Sequence, residues 1–236
     1  MQELGNWILQ NQRGDGWFPV HKKFKSTGEV TDFESRFYPG EAILGLVRLY
    51  ERDQNTAWLD AAEKAADYII QVRDKDAITP DHWFMYALND LHRFRGKQDY
   101  LRHSLKMADE ICKIQIRNHP EKPEWDGGYI VENPPPKATQ AACYSEGLSA
   151  SYKLIRDFGS QTEKEELGKI KQTISRGIDF QLQMQVKNTK RFNKKWLGGI
   201  QKSPEHEGIR IDYTQHNISS FILFYNILTR DQERNK

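Results

Sequence analysis

Two kinds of helical segment alternate along this chain, and the alternation limits the folds open to it. Gln2 to Gln12, Trp58 to Val72, Tyr100 to Ile116 and Glu163 to Met184 repeat apolar residues at i, i+3 or i+4 and fill the other face with charges. Between them lie Tyr38 to Tyr50, Pro80 to Phe94, Ala141 to Phe158 and Tyr213 to Leu228, which are apolar or small on more than one face. Ala42, Ile43, Leu44, Gly45, Leu46 and Val47 are the plainest case. A helix apolar nearly all round is covered on both sides. No segment reads as a strand, so an all-α chain of helical hairpins is expected, in a single domain over residues 1–236.

Half-wet helices outside and buried helices inside make the pattern of an α/α toroid. A full toroid of six hairpins needs about twelve helices, more than this alternation supplies, so the expected barrel is partial or open. The chain begins inside a helix, which equally fits the C-terminal part of a longer protein. Pro39 and Pro80 are placed for a first helical turn. Joins leaving the buried helices are short, such as 52–56 and 95–97, whereas residues 14–37, 118–139 and 188–211 form long loops. Loops of that length inside a domain are usually functional.

Composition narrows the function. Mean hydropathy is −0.81, yet aromatic residues reach 11%, enough for a packed core. Lys and Arg total 35 against 33 Asp and Glu, which gives no electrostatic case for nucleic acid or an anionic membrane as a partner. The two cysteines exclude a disulfide scaffold. No apolar run is long enough to span a bilayer, and the first residues lack the basic and apolar regions of a signal peptide. A cytoplasmic protein is expected. There is no phosphate loop, dinucleotide fingerprint or nucleophile elbow.

Three of the half-wet helices end alike. Gln12 is followed by Asp15-Gly16-Trp17, Gln115 by Trp125-Asp126-Gly127-Gly128-Tyr129, and Gln185 by Trp196-Leu197-Gly198-Gly199-Ile200. A glutamine amide can satisfy open helix carbonyls, a glycine permits positive φ, and an aromatic plugs the turn. The three tryptophans therefore read as equivalent stabilising positions. The repeat resembles the QW-type repeat of terpenoid-cyclase and prenyltransferase toroids. It also resembles the Gln-x-x-x-Gly-Gly turns of six-hairpin sugar enzymes, among them unsaturated glucuronyl hydrolases, glucuronyl C5-epimerases and some polysaccharide lyases. The resemblance covers nearly the whole chain as architecture, and no specific family is identified. It implies carbohydrate chemistry in the mouth of a helical toroid. Prenyltransferase toroids use an Asp, Cys and His set for zinc, so Cys143, Asp212 and His216 can be drawn as such a site. No local spacing supports it, and neither a metal nor a cofactor is expected. Asp-rich terpene-cyclase motifs are absent.

Ionisable and aromatic residues gather where long loops lead into the buried helices. Glu41, Asp81, Glu146, Asp212 and His216 are the acid/base candidates; Arg36, Tyr38, His82, Trp83, Tyr144, Arg210, Tyr213 and Gln215 are the substrate-binding candidates. Asp212, Gln215 and His216 share a helical face at i, i+3 and i+4. A carboxylate pair can do glycosidic acid/base work, and arginines can pair with a sugar carboxylate. Asp81 can equally cap a helix, Glu41 or Glu146 can complement its dipole, and Cys143 can be a small hydrophobe. His21, His92, His103, His119 and His206 read as surface or loop residues. The expected function is an enzyme that hydrolyses, eliminates or epimerises a polar or uronic-acid-like glycan, with a small molecule or oligosaccharide as partner. The alternative is a non-catalytic helical scaffold that binds a peptide or glycan.

Overall fold

Helices form where the apolar periodicity places them. A computed structural model of the protein describes residues 2–187 and 194–234; residues 188–193 of the loop expected over 188–211 lie outside the described residues. The helices are α1 (Gln2–Gln10), α2 (Tyr38–Asp53), α3 (Thr56–Tyr68), α4 (His82–Arg95), α5 (Gln98–Ile114), α6 (Ala138–Phe158), the short α7 (Gln161–Lys164), α8 (Leu167–Gln183) and α9 (Ile211–Arg234). The chain is mostly helical, at 64%. Local chemistry sets the boundaries. Asn55 and Asp81 cap α3 and α4 through their side chains, Gly96 closes α4 with φ at 62°, and Ser160 with Glu163 forms a capping box on α7. Pro80 lies before α4 rather than in its first turn, because Asp81 takes the cap.

The chain packs as two compact units, one up to Met107 and one from Ala108. In the first, α2 packs against α3 and α4. Its core includes Ile43, Leu46, Trp58, Ile69, Phe84 and Leu88. In the second, α6 packs against α8 and α9 around Tyr144, Leu148, Ile155, Ile174 and Phe180. Of the helices expected to be buried, α6 is the most thoroughly covered. On α2 a stripe of Glu41, Gly45 and Arg48 stays exposed. The last helix departs further. Asn217, Ser220, Phe224 and Ile227 face inward on α9, while Ile218, Ile222 and Tyr225 are exposed and Ile211 is 88% exposed. Apolar residues on two faces thus mean an exposed apolar face here, where the sequence reading has burial.

One strand pair also departs from the all-helix expectation. Gln201–Ser203 (β1) and His206–Ile209 (β2) form an antiparallel ribbon in the loop before α9. At the other end of the chain, α3 continues as one π-helical turn over Ile69–Arg73.

The repeated turns share one backbone design. The Gly16 N–H donates to the carbonyl of Arg13, the residue after Gln12; Gly127 donates in the same way to Ile116 and Gly198 to Val186. All three glycines have φ between 81° and 102°. Gln12 Nε2 donates to Gly16 O at 3.0 Å and to Ala61 O on α3 at 2.9 Å. Gln115 Nε2 donates to Gly127 O at 3.2 Å and to Thr173 O on α8 at 2.9 Å. In each case the glycine rests on the carbonyl three residues further along the same helix, Lys64 or Arg176. The third turn keeps the backbone bonds, but nothing lies within 4 Å of where a Gly198 Cβ would be. Trp196 is accordingly 49% exposed, whereas Trp125 is only 9% exposed.

Candidate functional site

The first unit holds a pocket of about 500 Å³ lined by Arg13, Trp17, His21, Glu34, Ser35, Arg36, Tyr68, Arg73 and Thr79. Its walls come from four pieces of chain. The Gly16 turn delivers Arg13 and Trp17. The long loop before α2 delivers His21, Glu34, Ser35 and Arg36. The end of α3 and its π turn deliver Tyr68 and Arg73, and the loop before α4 supplies Thr79. π turns often accompany functional sites, because they re-aim side chains within a helix.

Trp17 and Tyr68 lie with ring centroids 5.2 Å apart and planes 32° from parallel, and His21 is 5.3 Å from Trp17. Ser35 fixes the loop. Its Oγ accepts from the N–H groups of Phe37 and Tyr38, and its own N–H donates to His21 Nδ1 at 2.9 Å. A ring nitrogen that accepts a backbone N–H carries no proton, so in neutral His21 the proton sits on Nε2. That atom is buried and has no hydrogen-bond partner among the described residues.

The three arginines differ. Arg13 pairs with Asp15, and Arg73 pairs two-pronged with Asp74, at 2.7 and 3.0 Å. Asp74 also meets His103 Nε2 at 2.8 Å. Burial works to raise the Asp74 carboxyl, but His103 and Arg73 together hold it below the usual range. Arg36 donates only a long bond, 3.3 Å, to Pro80 O, and no carboxylate lies within ion-pair distance of it among the described residues. Its charge is available to an anionic ligand.

The sequence-derived candidates divide between the two units. In the first, Arg36 lines the pocket and Tyr38 packs edge-on against His21 at 5.1 Å, its hydroxyl pushed up to about 12 by burial. Glu41 is exposed on α2. Asp81 is fully buried. Its Oδ1 accepts from Trp83 N and Phe84 N as the α4 cap, and its Oδ2 has no partner among the described residues. Burial pushes this carboxyl up to about 7, against the pull of Arg73, the cap bonds and Arg36. His82 is buried against Phe37 and Trp83.

In the second unit, Glu146 Oε2 meets His216 Nδ1 at 2.8 Å. Glu146 lies well inside α6, which starts at Ala138, so it cannot complement the helix dipole. Cys143, one turn before Glu146, presents its sulfur to the same place: one ligand atom each from Cys143, Glu146 and His216 lie within 4.8 Å of one another. Asp212 is not in this group. It pairs with Arg210 at 3.0 Å, so the zinc set drawn with Asp212 is replaced by one with Glu146. Arg210 also lies over the Tyr213 ring, and Gln215 faces a groove on the exposed side of α9. The shared helical face of Asp212, Gln215 and His216 is therefore not one cluster. Tyr144 is buried edge-on against Tyr129.

Sequence reasoning missed His21, which it read as a surface or loop residue, and singled out neither Tyr68 nor Arg73. It read Trp17 as a structural plug. The length of loop 14–37 was the one signal that pointed here.

Among known proteins, the chain is similar to the Uncharacterized protein B0495.5 of Caenorhabditis elegans, 28% identical over 119 residues. The match covers 40% of this chain and 15% of that protein. The chain therefore corresponds to a small part of this relative's length. No family model matches the chain, and no solved structure matches it significantly. No helix among the described residues is long and apolar enough to cross a membrane.

Proposed function

We propose that the protein acts on a carboxylate-bearing glycan, of uronic-acid type, held in the first unit's pocket. The observation that carries this reading is the pairing of an arginine without a carboxylate partner, Arg36, with a flat aromatic wall of Trp17 and Tyr68 in one opening of sugar size. A guanidinium matches a carboxylate in geometry and charge, and an aromatic face packs on the C–H face of a sugar ring. Glu34 on the same wall would give or take the proton at the sugar, with water as its counterpart, while His21, through the Ser35 N–H on its Nδ1, holds the loop that carries Glu34. Hydrolysis, elimination and epimerisation all draw on such a pair. The acid/base candidates Glu41, Asp81, Glu146, Asp212 and His216 do not line this pocket. The recurring glutamine turns and the helix alternation support reading the hairpins as part of an α/α toroid.

The test is a panel of uronic-acid oligosaccharides assayed for new reducing ends, for unsaturated product and for solvent deuterium at C5. Turnover of at least one member is expected. Glu34→Gln should lower it by about 100-fold or more while binding persists. Binding without turnover across the whole panel would favour the scaffold alternative, and no binding at all would overturn the reading.

A further inference from the structure

Three donors of different chemistry converge in the second unit without belonging to the sugar pocket. Cys143 and Glu146 are three residues apart on α6, so both point to one side of that helix. His216 comes from α9, which packs along α6. A sulfur, a carboxylate oxygen and a ring nitrogen lie within 4.8 Å of one another. Donors around a tetrahedral zinc, bound at about 2.0 to 2.3 Å, stand roughly 3.3 to 3.8 Å apart. Glu146 Oε2 and His216 Nδ1, at 2.8 Å, would open by about 0.5 Å, and the sulfur would close by at most about 1 Å.

Burial argues in the same direction. Glu146 is only 3% exposed, His216 is mostly buried, and Cys143 is half-buried. An ionised carboxylate in such a place needs compensating charge. A divalent cation would neutralise the carboxylate and a thiolate together.

We propose that Cys143, Glu146 and His216 form a binding site for a borderline-soft divalent transition cation of the zinc type. One thiolate, one imidazole and one carboxylate suit zinc rather than magnesium or calcium, which take oxygen donors. On binding, the Cys143 thiol gives up its proton to solvent, the proton between Glu146 Oε2 and His216 Nδ1 moves to His216 Nε2 or to solvent, and that hydrogen bond gives way to two metal bonds. The proposal is independent of the sugar pocket and stands if that reading fails.

The experiment uses the full chain, stripped with a chelator and titrated with Co²⁺ and Zn²⁺. One Co²⁺ per chain is expected, with a thiolate-to-cobalt charge-transfer band. The band should vanish in Cys143→Ser and persist in Cys112→Ser, since Cys112 is buried away from this group. Glu146→Gln and His216→Ala should each weaken Zn²⁺ binding by about 100-fold or more. Circular dichroism of every variant checks that the helices remain, and Cys143→Ala serves in place of any serine variant that does not fold. A cobalt complex without the thiolate band, a band that survives in Cys143→Ser or Cys143→Ala, or an affinity unchanged by all three ligand substitutions would overturn the site.

Discussion

Single residues carry two sharply different kinds of strain in this chain. Gly127 and Gly198 occupy equivalent turns with φ of 81° and 83°. A Cβ at Gly127 would overlap the carbonyl oxygen of Arg176, whereas one at Gly198 meets nothing. Gly198→Ala should therefore cost only the left-handed backbone penalty, about 1 kcal/mol. Gly127→Ala should cost several times as much, because backbone must move. Urea denaturation of the two variants measures the difference, and equal midpoints would contradict it. Asp81 is strained electrostatically. Its carboxyl stays protonated up to about pH 7 when folded but ionises near 3.8 when unfolded. Between those values the folded state binds the extra proton, so Asp81's contribution to stability is greatest below about pH 4 and is lost as pH rises through 7, by about 4 kcal/mol in all. Asp81→Asn keeps a capping oxygen and removes the ionisation. The variant should flatten the fall in stability from pH 4 to 8 and gain on the parent at pH 8. A denaturation midpoint with an unaltered pH profile would show that the carboxyl is not buried as described.

At the scale of elements, the repeated turn ties the end of one helix to the carbonyls of the next. The two N–H groups of Gln115 Nε2 are shared among three acceptors within hydrogen-bond distance: Gly127 O, Thr173 O and the Tyr129 hydroxyl. Removing it would leave buried carbonyls unsatisfied, so Gln115→Ala should cost about 2 to 4 kcal/mol. Gln12 serves two acceptors at a half-buried site, and its loss should cost about 1 kcal/mol. Trp125→Ala should cost about 3 to 5 kcal/mol, and Trp196→Ala, at a half-exposed position, well under that. Thermal melts rank these four variants. The turns were legible in the sequence because glycine, glutamine and tryptophan recur at fixed order. Their unequal burial was not, because it depends on whether a second helix offers its carbonyls to the turn. The same limit explains α9. Ile218, Ile222 and Tyr225 read as core by type, yet the inward face is the one with Asn217 and Ser220: Asn217 Nδ2 donates to Tyr213 O and Ser220 Oγ donates to Gln181 Oε1, while Asn217 Oδ1 has no partner among the described residues.

For the molecule as a whole, helix positions followed from periodicity, a property of neighbouring residues, while the pocket joins residues as far apart as Arg13 and Thr79. Tyr68 stands just before the π turn and Arg73 ends it, and they meet Trp17 and Arg36 only as walls of one pocket. No spacing rule encodes that. Glu146 and His216, by contrast, were both visible as ionisable groups on apolar helices and stood together among the acid/base candidates, although His216 was drawn with Asp212. The central claim is that Arg36 selects an acidic sugar against the aromatic wall. Isothermal titration tests it directly, with a uronic-acid oligosaccharide and its neutral hexose counterpart against the parent and Arg36→Met. The exposed Arg36 makes one long hydrogen bond, so its loss should leave the fold intact. The account predicts that the parent binds the acidic sugar at least tenfold more tightly than the neutral one, about 1.4 kcal/mol, and that Arg36→Met abolishes the difference. Equal affinity for both sugars, or a preference for the acidic one that survives in Arg36→Met, would contradict it.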